Sequence, residues 1–167
     1  TIVVTKDATP SSLPQPGGQF TFDVTVTNTS NEPVTITSLD DDVYPGQTGD
    51  ADCQVGTVLA ASGQAGDSCS FSFQGSFTGN AGDDQTDTVE VCAEDSDENE
   101  ACDDDPATVT ITDVLPTIVV TKDATPSSLP EPGGQFTFDV TVTNTSNEPV
   151  TTTALDDDVY PGQTGDA

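Results

Sequence analysis

The first 51 residues, TIVVTKDATPSSLPQPGGQFTFDVTVTNTSNEPVTITSLDDDVYPGQTGDA, return at Thr117–Ala167 with three changes: Gln15 becomes Glu131, Ile36 becomes Thr152 and Ser38 becomes Ala154. The copies are offset by 116 positions, with Thr1 falling on Thr117. Repeats of roughly 20 to 50 residues cannot bury a core alone and must stack into solenoids, whereas roughly 100 residues is the length of one β-sandwich domain. Each unit is therefore expected to own its core. The chain reads as one complete unit, 1–116, followed by the first part of a second, 117–167. A longer array, or a polymer of such units, is the expected setting.

Composition alone would favour disorder, since the net charge is −28, Lys6 and Lys122 are the only cations, and hydrophobic residues make up 32%. The patterning opposes that. In QFTFDVTVTN, Phe20, Phe22, Val24 and Val26 alternate with Thr21, Asp23, Thr25 and Thr27, the period of a half-buried strand. Strands are expected at Ile2–Thr5, Gln19–Asn28, Val34–Leu39, Cys53–Leu59, Cys69–Phe77, Thr86–Cys92 and Ala107–Thr112, separated by Gly, Pro, Asn and Asp clusters. With no helical pattern, these seven make an all-β sandwich. Phe71, Phe73, Val89, Val91, Val109 and Ile111 fall on matching alternate positions and should share its core.

The four cysteines, Cys53, Cys69, Cys92 and Cys102, occur in a chain without histidine or a CxxC pair, which points to disulfides rather than zinc. Four cysteines allow three connectivities. Proximity selects Cys92–Cys102, flanking the loop AEDSDENEA, and Cys53–Cys69, flanking the turn at Gly63 to Gly66. Disulfides imply an extracellular or otherwise oxidising location. No apolar run reaches transmembrane length and no signal peptide is present, so any export signal or wall anchor is expected outside this segment.

The string PTIVVTKDATPSSLPEPGGQFTFDVTVTNTSNEPVT, with LDDD, a cysteine, GDSCSFSF, TGNAGDDQTDTVEV and DDDPATVTITDV, resembles the immunoglobulin-like repeats of bacterial and archaeal surface proteins long catalogued as a domain of unknown function. The resemblance spans the whole unit. It implies an immunoglobulin-like, seven-strand antiparallel β-sandwich in a stalk, adhesin or fibre, and it transfers no catalytic residues. Cys92 and Cys102 depart from the pattern of such repeats. Antibody-type hallmarks are absent too, since there is no Trp and neither Tyr44 nor Tyr160 precedes a strand cysteine.

Cation binding is the chemistry the residues suggest. In CAEDSDENEACDDD, the carboxylates of Glu94, Asp95, Asp97, Glu98, Glu100, Asp103, Asp104 and Asp105 crowd one connection, at a Coulomb cost that two lysines cannot relieve. Calcium suits such a site, taking 6 to 8 oxygen ligands in flexible geometry. Asp95, Asp97 and Asn99 match the one-three-five start of a calcium loop. Glu100 and Pro106 then stand where an EF-hand has glycine and its final glutamate. Asp40, Asp41 and Asp42, repeated as Asp156, Asp157 and Asp158, with Asp50, Asp52, Asp83 and Asp84, are expected at the opposite end of the sandwich, facing the acidic loop of the next unit. Calcium would then stiffen a domain junction already short and proline-bearing at TDVLPTIVV. The bland alternative is solvated acidic surface.

Other chemistries lack their residues. There is no His, no GxSxG elbow, no Gly-rich phosphate loop before a helix, and no aromatic sugar platform beside the carboxylates, so no enzyme is expected. Charge sign disfavours nucleic acid. Lys6 could in principle form an isopeptide with an Asn, but the last strand has none, and an ion pair with a nearby carboxylate is expected. Asn28-Thr29-Ser30 and Asn144-Thr145-Ser146 fit the glycosylation sequon, with a turn residue as the structural alternative. Two function classes remain. One is a structural fibre or stalk whose partners are neighbouring identical repeats; the other is an adhesin or ligand-binding module. A third possibility is a filament assembled by strand donation between chains.

Overall fold

The computed structural model describes residues 1–163. It is all-β among the described residues and divides into two compact units, Thr1–Asp113 and Val114–Ala167.

The first unit has eight strands: β1 (Ile2–Thr9), β2 (Ser12–Pro14), β3 (Gly17–Asn28), β4 (Val34–Asp41), β5 (Val58–Leu59), β6 (Ser68–Thr78), β7 (Asp84–Glu94) and β8 (Glu100–Thr112). They form a three-stranded sheet in the order β1-β3-β6 and a five-stranded sheet in the order β2-β8-β7-β4-β5. The expected alternation holds on β3, where Phe20, Phe22, Val24 and Val26 are buried. One apolar cluster joins Ile2, Val4, Val24, Val26 and Phe71 of the first sheet to Ile36, Leu39, Leu59, Val89 and Val91 of the second. A second joins Phe20 and Phe22 to Ala107, Val109 and Ile111. Apolar faces of two sheets packed on each other make a β-sandwich.

Three departures from the sequence expectation have physical causes. The first strand continues past Thr5 to Thr9, and the chain then crosses to the other sheet, where Ser12, Leu13 and Pro14 run parallel to Thr110, Ile111 and Thr112 of β8. The five-stranded sheet is therefore mixed, while the three-stranded sheet is wholly antiparallel. Proline cannot donate to a ladder, so Pro10 breaks the pairing with β3, and Pro14 is tolerated only because β2 is an edge strand. The expected strand Cys53–Leu59 shrinks to Val58–Leu59, because Asp50 accepts the Asp52 and Cys53 N–H groups and Gly56 turns the chain at φ 94°. The final strand starts at Glu100 rather than Ala107, so Asp103, Asp104 and Asp105 lie on a strand and not in a loop.

Two disulfides staple this unit and no cysteine is free. Cys92 and Cys102 face each other across β7 and β8. Buried Cys53, in the loop before β5, reaches Cys69 on β6 and so ties the two sheets together.

In the second unit, β9 (Ile118–Thr125) and β10 (Thr137–Asn144) pair in the same register as β1 and β3, with Ile118 opposite Asn144 as Ile2 is opposite Asn28. Ile118, Val120, Phe136, Phe138, Val140 and Val142 are exposed there, whereas their counterparts in the first unit are buried. Residues 117–167 correspond only to 1–51, so they include no equivalent of β6, β7 or β8 to cover that face.

Candidate functional sites, a buried lysine and an acidic row

Lys6 follows Ile2 and Val4 on the inward phase of β1, Asp41 follows Leu39 on β4, and Asp87 precedes Val89 and Val91 on β7. Strand alternation thus drives three charged side chains into the sandwich, and all three are buried. Lys6 Nζ donates to Asp41 Oδ2 and to Asp87 Oδ2, each at 2.6 Å. It also lies 4.8 Å from the centroid of the Phe22 ring and 5.2 Å from that of Phe73, in cation–π range. The carboxylates are held differently. Asp41 Oδ1 accepts the Val43 and Tyr44 N–H groups at 3.2 and 2.8 Å. Asp87 Oδ1 is buried without any hydrogen-bond partner, and burial pushes the Asp87 carboxyl above the ordinary carboxylate range against the pull of Lys6. Tyr44 closes the site, with its ring 5.5 Å from that of Phe22 and its hydroxyl donating to Gln85 Oε1 at 2.6 Å. Only glycine fits beneath it: a Cβ at position 75 would come within 2.3 Å of the ring. Burial, then the nearby Asp87 and Asp41 charges, raises the Tyr44 hydroxyl above its ordinary value.

The second unit repeats half of this arrangement. Lys122 donates to Asp157, whose other oxygen accepts the Val159 and Tyr160 N–H groups. The Lys122 hydrogen bond, then the Tyr160 N–H, holds the Asp157 carboxyl below the ordinary range. Lys122 lies over Phe138 but is partly exposed.

The acidic residues singled out in the sequence separate into distinct roles. Asp95 accepts the Asp97 and Asn99 N–H groups and the Asn99 side-chain amide, so Asp95 and Asn99 close the β7–β8 turn on themselves. The Asn99 backbone bond, followed by its side chain, holds the Asp95 carboxyl below the ordinary range. Asp103 Oδ2 accepts the Val4 N–H at 2.8 Å and Asp105 Oδ2 the Lys6 N–H at 2.7 Å, which satisfies the open edge of β1 from β8. Asp41 is taken by Lys6. What remains together is a row across the outer face of the five-stranded sheet, with Asp40 opposite Glu90 and Glu90 opposite Asp104. Asp42 joins them, held by the Thr88 N–H.

Side chains directly opposite on neighbouring strands have Cβ atoms about 4.5 to 5.5 Å apart, and like charges there repel. A divalent cation with several oxygen ligands would relieve that repulsion. Glu90 escaped the sequence reading because it stands outside the acidic runs; its outward phase between Val89 and Val91 was the available signal. The Asp95 turn lies just past the C-terminal end of β7, five residues from Glu90, or roughly 17 Å at the strand rise. Cys92, Glu100 and Cys102 also lie together, but both sulfurs are spent in a disulfide and cannot ligate as thiolates.

Asn28 is a structural residue. Its buried side-chain amide donates to the Glu32 and Ala60 carbonyls, while its oxygen accepts the Ser30 N–H and hydroxyl. No described helix is long and apolar enough to cross a membrane. No protein-family model matches the chain, and no curated protein matches it.

Proposed function

We propose that the chain is a structural element of an extracellular fibre or cell-surface stalk, assembled from tandem immunoglobulin-like domains and without catalytic activity. The carrying observation is the match at 48 of 51 positions between the two copies, because a scaffold uses one part many times. The sheet order supports the immunoglobulin-like reading: β1-β3-β6 and β4-β7-β8 correspond to the A-B-E and C-F-G pairings of that fold. Two disulfides fit an oxidising, extracellular location. The partners are neighbouring identical repeats, and a net charge of −28 disfavours nucleic acid.

Calcium is the proposed stiffening ion, with Asp40, Asp42, Glu90 and Asp104 as its ligand set in the first unit. The test is thermal melting of the chain in calcium, in magnesium and after chelation, alongside electron microscopy of native material. Calcium at about 100 times its dissociation constant should add about 2.7 kcal/mol. Glu90→Gln with Asp104→Asn should abolish the response. Isolated particles without filaments would refute the fibre, and identical melting in all three conditions would refute the ion.

A further inference from the structure

We propose that Lys6 and Asp41 condense into an intramolecular amide, with Asp87 relaying the protons. Three observations carry this. First, Lys6 Nζ lies 2.6 Å from an oxygen of each carboxylate, so nucleophile, electrophile and proton carrier already touch. Held groups of this kind react as though at very high concentration. Second, Asp41 Oδ1 accepts two backbone N–H groups, from Val43 and Tyr44. An oxyanion developing on that atom as nitrogen adds to Cγ would meet two preorganised donors. Third, Asp87 is buried with Oδ1 unpartnered, an acid free of other bonds and able to take and return a proton.

The step balances without a co-reactant. The Lys6 ammonium passes one proton through Asp87 to Asp41 Oδ2, leaving a neutral amine and a carboxylic acid. The nitrogen lone pair forms the bond to Asp41 Cγ, and negative charge collects on Oδ1. Asp87 then takes a second proton from nitrogen and delivers it to Oδ2. The Cγ–Oδ2 bond breaks, water leaves, and Oδ1 becomes the amide carbonyl. Asp87 ends as it began.

The environment favours the product. The ion pair holds one cation and two carboxylates with fully buried side chains, at a large desolvation cost for each ion. Condensation cancels two of those charges. Phe22, Phe73 and Tyr44 wall the site and keep water from reversing the reaction. The bond would join β1 of the three-stranded sheet to the end of β4 in the five-stranded sheet, a covalent tie between the two layers. The second unit is an internal control, since Lys122 and Asp157 meet in a more open site and residues 117–167 hold no counterpart of Asp87.

Intact-mass spectrometry of the reduced, alkylated and denatured chain tests this directly. The expected mass is that of the sequence with its four cysteines alkylated, less one water. Full mass overturns the proposal, and loss of a second water through Lys122 overturns the need for a relay. Trypsin supplies an independent readout, because the chain has only two cleavable residues. It should cut after Lys122 and spare Lys6; cleavage after Lys6 overturns the amide even if water has been lost elsewhere. Fragmentation should place the branch between Lys6 and Asp41, and a branch to Asp87 would overturn the roles assigned to the two acids. Asp87→Asn should retain the water and show full cleavage after Lys6. An amide formed in that variant removes Asp87 from the mechanism, and the unsubstituted chain decides the bond itself if the variant does not fold.

Discussion

Phe20 and Phe136 stand at the same place in two copies of one sequence, Phe20 on β3 and Phe136 directly before β10, whose pairing with β9 repeats the register of β1 and β3, so they separate the contribution of local sequence from that of tertiary burial. Phe20 is 0% exposed and packs with Val109 and Ile111 across the sandwich, whereas Phe136 is 37% exposed. Truncating a fully buried phenylalanine to alanine removes its transfer free energy and leaves a cavity, at a cost of about 3 to 5 kcal/mol. The first unit runs from Thr1 to Asp113. At about 2.1 cal/mol/K per residue, a unit of that length loses about 4 °C of melting temperature per kcal/mol. Phe20→Ala should therefore lower the melting temperature by roughly 12 to 20 °C. Phe136→Ala removes a side chain that keeps much of its contact with water, and should cost less than about 1 kcal/mol. Calorimetry of the whole chain carrying each substitution measures both. Equal shifts would refute the reasoning, because they would mean that the two-strand unit, and not the closed sandwich, sets the value of these residues.

Two further outcomes follow from the same structure. The Cys92–Cys102 bridge closes a loop with a sequence separation of 10. Replacing both cysteines with serine should cost about 3 kcal/mol in the chain-entropy model, read as a lower urea midpoint than that of the unsubstituted, non-reduced chain. Tyr44 ionises above its ordinary value of 10.0 because the folded site disfavours the phenolate. Its contribution to stability is complete below that value and is lost as pH rises through the raised one. Tyr44→Phe should flatten this part of the alkaline decline in urea midpoint, and an unchanged decline would exclude Tyr44 as its source.

The strands were legible wherever one face of the chain is apolar, because a period of two survives even in a sequence this acidic. β3 and β7 could be read from Phe20 to Val26 and from Val89 and Val91. β2 was not legible, because three residues ending in proline become a strand only when β8 lies beside them. The N-terminal half of β8 was hidden for a related reason. CDDD reads as loop, yet Asp103 and Asp105 become strand residues because they pair with Val91 and Val89 of β7, and their carboxylates then accept the Val4 and Lys6 N–H groups of the β1 edge.

The position of Lys6 on the inward phase of β1 was also written in the sequence, since it follows Ile2 and Val4 at alternate positions. The identity of its partners was not, because Asp41 and Asp87 are 35 and 81 residues away and meet it only once both sheets have closed. The acidic row of Asp40, Glu90 and Asp104 likewise depends on the registers of three strands, and a shift of one residue would send each side chain to the opposite face. By itself, the sequence determined the repeat, the alternation and the local pairing that β1–β3 and β9–β10 share. Tertiary structure alone decided which of those identical apolar faces is buried, because burial depends on a second sheet arriving from distant parts of the chain.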